Sequence, residues 1–136
     1  MYTINYSETR TFSQFDREQF LLYLGEKPVT YTPEVVAMAT DEAAPIAEPV
    51  DGFSYTGTHP DGGTLIRAKE ATYDAFVSGL IRQRYSSDEV EALQANMVEA
   101  LLDKENPRAV EFTQKWEEFQ QYRNECKASA KKVLGL

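Results

Sequence analysis

An α+β fold is predicted by three observations on this sequence: loose polar/apolar alternation in its first residues, a proline- and acid-rich break ahead of a Gly-rich turn, and a continuous series of helix signals from residue 72 to 134. The division expected is a small N-terminal β/α part, a strand and helix over residues 1–38, then an extended acidic Ala/Pro linker or arm over 39–51. A β-hairpin over 52–71 and a C-terminal three-helix module over 72–136, with a long last helix, complete it. At 136 residues and 42% hydrophobic content the chain can bury a core as one compact domain, or as a small domain plus an arm.

Tyr2, Ile4 and Tyr6 alternate with Thr3, Asn5 and Ser7, the pattern of a half-buried strand. A short helix is expected next. Ser13 can cap it, Asp16 and Glu18 complement the positive end of its dipole, and Phe20, Leu21, Tyr23 and Leu24 form its buried side before Gly25 stops it. Pro28 and Pro33 restrict Val29, Tyr31, Val35 and Val36 to an edge strand or an arm. Residues 39–51, ATDEAAPIAEPVD, hold only Ile46 and Val50 as sizeable apolar side chains and read as linker. Phe53 and Tyr55 then precede a Pro60–Gly63 turn, with Thr64, Leu65 and Ile66 after it, which predicts a hairpin.

The helical module is the most explicit part. Tyr73, Phe76, Val77, Leu80, Ile81 and Arg84 line one helical face. Ser86, three residues before Glu89, offers a capping box for a second helix whose stripe is Val90, Leu93, Met97, Leu101 and Leu102. Asn106 and Pro107 fit the cap and first residue of a third. Along it Phe112, Trp116, Phe119, Arg123, Cys126, Ala130 and Val133 are spaced 4, 3, 4, 3, 4 and 3, the seam of a helix packed along a nearly antiparallel neighbour, with Trp116 expected to be largely buried.

Charge and composition exclude several function classes. The net charge of −8 argues against sequence-independent nucleic-acid binding, which needs Lys and Arg to neutralise phosphates. Residues 1–64 hold ten acids against three bases, and from Glu34 to Asp61 there are six acids and no Lys or Arg. That stretch is either a solvated linker extended by self-repulsion or an arm that lies on a basic patch of a partner. One cysteine, Cys126, excludes an internal disulfide, and its place on the seam makes it a small buried hydrophobe. No apolar run approaches the ~20 residues of a membrane span, and the opening MYTINYSETR lacks a signal peptide's apolar stretch, so neither membrane insertion nor secretion by a signal peptide is expected.

No catalytic, cofactor-binding or metal site emerges. His59 is the single histidine and has no second histidine or cysteine nearby in sequence for a zinc site. Asp61, Gly62 and Gly63 lack the Lys and Ser/Thr of a phosphate-binding loop. Paired acids such as Asp88 with Glu89, or Glu117 with Glu118, are adjacent on helices, point about 100° apart and cannot flank one reacting bond. The candidates left are for protein contact. They are an arm carrying Val35, Val36, Met38, Asp41, Glu42, Ile46, Glu48 and Val50, and a helical edge at Tyr122, Arg123, Lys127 and Lys131.

The runs YDAFVSGLIRQRYSSDEVEALQANM and EFTQKWEEFQQYRNECKASAKKVL carry a resemblance. With Leu80, Ile81, Arg82, Arg84, Tyr85, Ser86, Asp88 and Glu89, then Glu118, Phe119, Tyr122, Arg123, Cys126, Lys127, Ala130 and Lys131, the C-terminal half resembles small accessory proteins. These are encoded in the structural-gene regions of tailed bacteriophages and prophages of gut bacteria. The resemblance implies a non-enzymatic virion head or tail component that acts through protein–protein assembly, in the virion or the host cytoplasm, with a virion protein or other copies of itself as partner and no cofactor. A soluble tail-assembly chaperone is the second reading, and an acidic mimic of nucleic acid the third.

Overall fold

The computed structural model describes residues 1–33 and 48–136, which form six strands followed by three helices. The strands are β1 (Tyr2–Tyr6), β2 (Phe12–Gln14), β3 (Gln19–Leu22), β4 (Lys27–Tyr31), β5 (Val50–Gly57) and β6 (Thr64–Arg67). The helices are α1 (Tyr73–Arg82), α2 (Ser87–Leu102) and α3 (Ala109–Leu134). Two small antiparallel sheets, ordered β1-β5-β4 and β2-β3-β6, and the helical module make the class α+β. The chain divides into two compact units, Met1–Ser13 with Leu21–Leu65, and Gln14–Phe20 with Ile66–Leu136.

In the first unit β5 is the central strand. Tyr2 to Tyr6 pair with Gly57 to Phe53 on one side, and Lys27 to Tyr31 pair with Ser54 to Val50 on the other. β4 is therefore an edge strand, the place where Pro28 can lack an N–H without breaking a ladder. The expected hairpin is corrected here. Strands flank the turn, closed by the His59 N–H donating to the Gly63 carbonyl at 2.9 Å, but β5 and β6 do not pair with each other. Both edges of β5 are already taken by β1 and β4, so β6 joins the other sheet.

A second correction concerns the short helix expected after Ser13, whose residues form β2, a turn and β3. Asp16 does not head a helix. Its carboxylate accepts the Glu18 N–H at 2.8 Å, while the Phe15 N–H donates to the Gln19 carbonyl at 3.0 Å, so the local bonds of Asp16 close a tight turn. Phe20, Leu21, Leu22 and Tyr23 are all buried, and a contiguous apolar run of four suits a buried strand as well as a helix face. Gly25 still ends the segment, at φ 66°.

The second unit is assembled on α1 and α3. Thr72 caps α1 through the Ala75 N–H, and Phe76 is fully buried with its ring 5.3 Å from that of Phe20. Gly79 lets α1 approach β6 closely, because a Cβ there would lie 2.5 Å from the Arg67 carbonyl oxygen. Ser86 and Glu89 make both halves of the capping box on α2. α3 runs for 26 residues but starts at Ala109, two residues later than expected. Asn106 closes the preceding turn instead, its side-chain oxygen accepting from the Arg108 N–H at 2.9 Å. On the seam Phe112, Phe119, Cys126, Ala130 and Val133 are buried. Trp116 and Arg123 are intermediate, mostly but not fully covered, and the Trp116 ring lies beside Phe119, centroids 5.6 Å apart.

Candidate protein-docking face

α2 carries more apolar side chains than one packed face can use. Val90, Leu93, Met97 and Ala100, spaced 3, 4 and 3, are its covered apolar residues, with Ala100 buried and the others half-buried, as is Asn96 beside them. On the opposite side Glu91, Ala95, Val98 and Leu102 are spaced 4, 3 and 4, and all four are exposed. Val98 is 54% exposed, Leu102 84% and the adjacent Leu101 61%. The turn after Leu102 leads into α3, whose Val110 is 70% exposed. A helix apolar on both sides is the pattern of one buried on both sides. The stripe assigned Leu101 and Leu102 in the sequence reading is thus corrected: Ala100 takes the inward position, and the two leucines face out.

The charge of this helix is one-signed. Asp88, Glu89, Glu91 and Glu99 lie on α2 with no Lys or Arg among its 16 residues. Glu89 serves the Ser86 cap, and Glu99 accepts from the Asn106 side-chain amide at 3.3 Å. Two cations near the start of α3 are engaged by Glu111: Arg108 at 3.3 Å and Lys115 at 3.0 Å. Hydrogen bonds from Arg108 and Lys115, together with their charges, pull the Glu111 carboxyl down to about 2. The Glu99 charge also acts on Arg108, so the negative field left to act on whatever approaches α2 rests chiefly on its N-terminal half, at Asp88, Glu89 and Glu91.

Comparison of the chain with protein-family models, curated proteins and solved structures finds no match.

The richest polar cluster lies in the first unit. Tyr6, Tyr23 and Tyr55 bring their rings to 5.9–6.1 Å of one another, and the Arg10 guanidinium covers Tyr6 at 4.6 Å and Tyr23 at 4.4 Å. The Tyr23 hydroxyl accepts from Arg10 at 3.1 Å and donates to Asp61 at 2.8 Å, and the Tyr6 hydroxyl donates to the Asp61 carbonyl. Tyr55 donates to Glu26 at 2.6 Å and accepts the Arg10 N–H at 2.8 Å. Burial pushes all three phenols above their ordinary range. Partial burial also opposes ionisation of Asp61, but the Gly63 N–H, the Tyr23 hydroxyl and the charges of His59 and Arg10 outweigh it and hold the carboxyl below its usual value. Phenols raised and bonded in this way are poor nucleophiles and bases near neutrality, so the chemistry the cluster supports is fastening of the 59–63 turn to Tyr6 at the end of β1 and to Tyr23 just after β3.

The remaining candidates are distributed as follows. Val35, Val36, Met38, Asp41, Glu42 and Ile46 lie outside the described residues; Glu48 is exposed, and Val50 is the first residue of β5, paired with Tyr31. Tyr122 turns inward, its hydroxyl donating to the Leu80 carbonyl at 2.9 Å and its ring 5.7 Å from Tyr85, with Arg84 above it at 5.1 Å. Arg123 reaches Gln120 at 3.5 Å, Lys127 is half-buried and Lys131 exposed. Among the described residues no three His, Cys, Asp or Glu side chains gather as a metal site, and no helix is long and apolar enough to cross a membrane.

Proposed function

We propose that this chain is a non-enzymatic assembly protein of a tailed bacteriophage or prophage, a structural accessory that joins protein subunits in the head or tail. The observation that carries the reading is α2, patterned with apolar residues on two opposite sides of which one is covered within the described chain. An exposed stripe of Val98, Leu101 and Leu102 is costly for an isolated soluble chain and useful for one that docks. The resemblance of the RYSSDE helix pair to phage structural-region proteins supplies the setting.

The test is the protein's presence in purified particles of a phage that encodes it. A fixed number of copies per particle, retained through density-gradient purification, is expected of a component. Absence from particles, with co-purification on an unassembled virion subunit, would replace this reading with that of a tail-assembly chaperone.

A further inference from the structure

The outer side of α2 also specifies what covers it, and this step rests on the assembly reading. We infer that the occupant is a basic amphipathic helix from a different protein chain, laid along Glu91, Ala95, Val98 and Leu102 with its Lys or Arg residues flanking its own apolar stripe. Three observations favour that partner. The 4, 3, 4 spacing of the exposed residues is the seam that receives a second helix, because side chains at those positions form one ridge along a helix surface. α2 spans 16 residues, or roughly 24 Å, so a partner helix of about four turns matches its length. Of its four carboxylates Glu99 lies within the field of Arg108, but Asp88, Glu89 and Glu91 have no cation on the same helix, and the side chains of Arg108 and Lys115 are paired with Glu111.

A second copy of this chain fits less well. A two-fold contact through α2 would set the same four acids against themselves, since an isologous interface presents one patch to its own image. The basic end of α3, with Lys131 and Lys132, has Leu136 as its one large exposed apolar residue, too little to cover Val98, Leu101 and Leu102 together.

The experiment uses the full chain and two designed peptides of three heptads, identical in their Leu seam but carrying either Lys or Glu at the flanking positions, followed by fluorescence anisotropy. The Lys peptide is expected to bind and the Glu peptide not, with affinity falling as salt rises from about 0.05 to 0.5 M. Val98→Asp and Leu102→Asp should each weaken binding by roughly 30-fold, the loss typical of one hot-spot residue. Both positions are exposed, so thermal unfolding should change little and loss of binding would not reflect loss of the fold. Glu91→Lys should weaken the Lys peptide and admit the Glu peptide, a reversal that a merely structural role for Glu91 would not produce. Equal binding of both peptides, or of neither, overturns the inference. So does a wild-type dimer seen by light scattering that Leu102→Asp makes monomeric, because the occupant would then be a second copy. A chain found in particles that ignores the Lys peptide sinks the basic-helix partner alone; one that binds it yet is absent from particles sinks the virion reading alone.

Discussion

Tyr55 is fully buried in the first unit, yet it holds a carboxylate on one side and a backbone N–H on the other. Tyr55→Phe keeps the ring and deletes both bonds, so it should lower unfolding free energy by about 1.5–3 kcal/mol, the range for hydrogen bonds to charged groups, as read by urea denaturation. Tyr122 makes a different prediction. Burial first, and then the neighbouring Cys126 thiol, push its phenol up to about 12 from an ordinary 10.0. A group raised on folding stabilises the fold fully below its unfolded value and loses that contribution as pH climbs through the folded one. In an alkaline titration followed by phenolate absorbance, the latest phase, centred at about pH 12, should therefore lose amplitude in Tyr122→Phe. Neither role was legible in the sequence, where Tyr55 stood as an alternating strand residue and Tyr122 as a residue beside a seam. The partners of Tyr55, Arg10 and Glu26, are 45 and 29 residues away, and periodicity carries no information on contacts at that range.

At the scale of elements, the sequence was most readable where a local bond decides the structure. Ser86 and Glu89 form their capping box because both partners lie within one turn, and the module's three helices follow with two shifted boundaries: α3 starts two residues late, after the Asn106 turn, and α1 ends at Arg82, short of the Arg84 expected on its face. It was least readable where two elements of one period compete. Phe20 to Tyr23 is apolar at every position and so has no period at all, and Asp16 settled the matter by closing a turn. The α2 stripe failed for a related reason: with Val98, Leu101 and Leu102 added to an inner seam, two faces satisfy helical spacing and spacing alone does not rank them. Gly79 offers a test of element packing. In an exposed helix Gly→Ala adds about 1 kcal/mol of stability, but here the new methyl would meet the Arg67 carbonyl at 2.5 Å and the Ile66 side chain at 3.0 Å. Gly79→Ala is expected to destabilise by about 1–3 kcal/mol, seen as a lower denaturant midpoint at unchanged slope. A gain in stability would show that α1 and β6 are not so closely apposed.

For the whole molecule, net charge and exposed apolar surface pull in opposite directions. A formal charge of −8 keeps chains apart, while Val98, Leu101, Leu102 and Val110 give them a reason to associate. Screening should expose the second tendency. At the moderate salt of the peptide assay the charge should keep the chain monomeric; light scattering of concentrated protein is expected to rise, as polydisperse aggregate and not as a dimer, only as salt approaches about 1 M, where the Debye length is about 3 Å, and to rise less in Leu102→Asp. The doubly apolar α2 has a consequence for how its positions tolerate change. In a library of all single substitutions along this helix, selection for folded chain and selection for binding of the Lys peptide should diverge. Polar replacements of Leu93, Met97 or Ala100 would be rejected by both, whereas at Ala95, Val98 and Leu102 they would pass the first and fail the second. If the partner inferred above covers that side, the outer apolar residues of α2 would be held constant by its surface and could drift only in step with it.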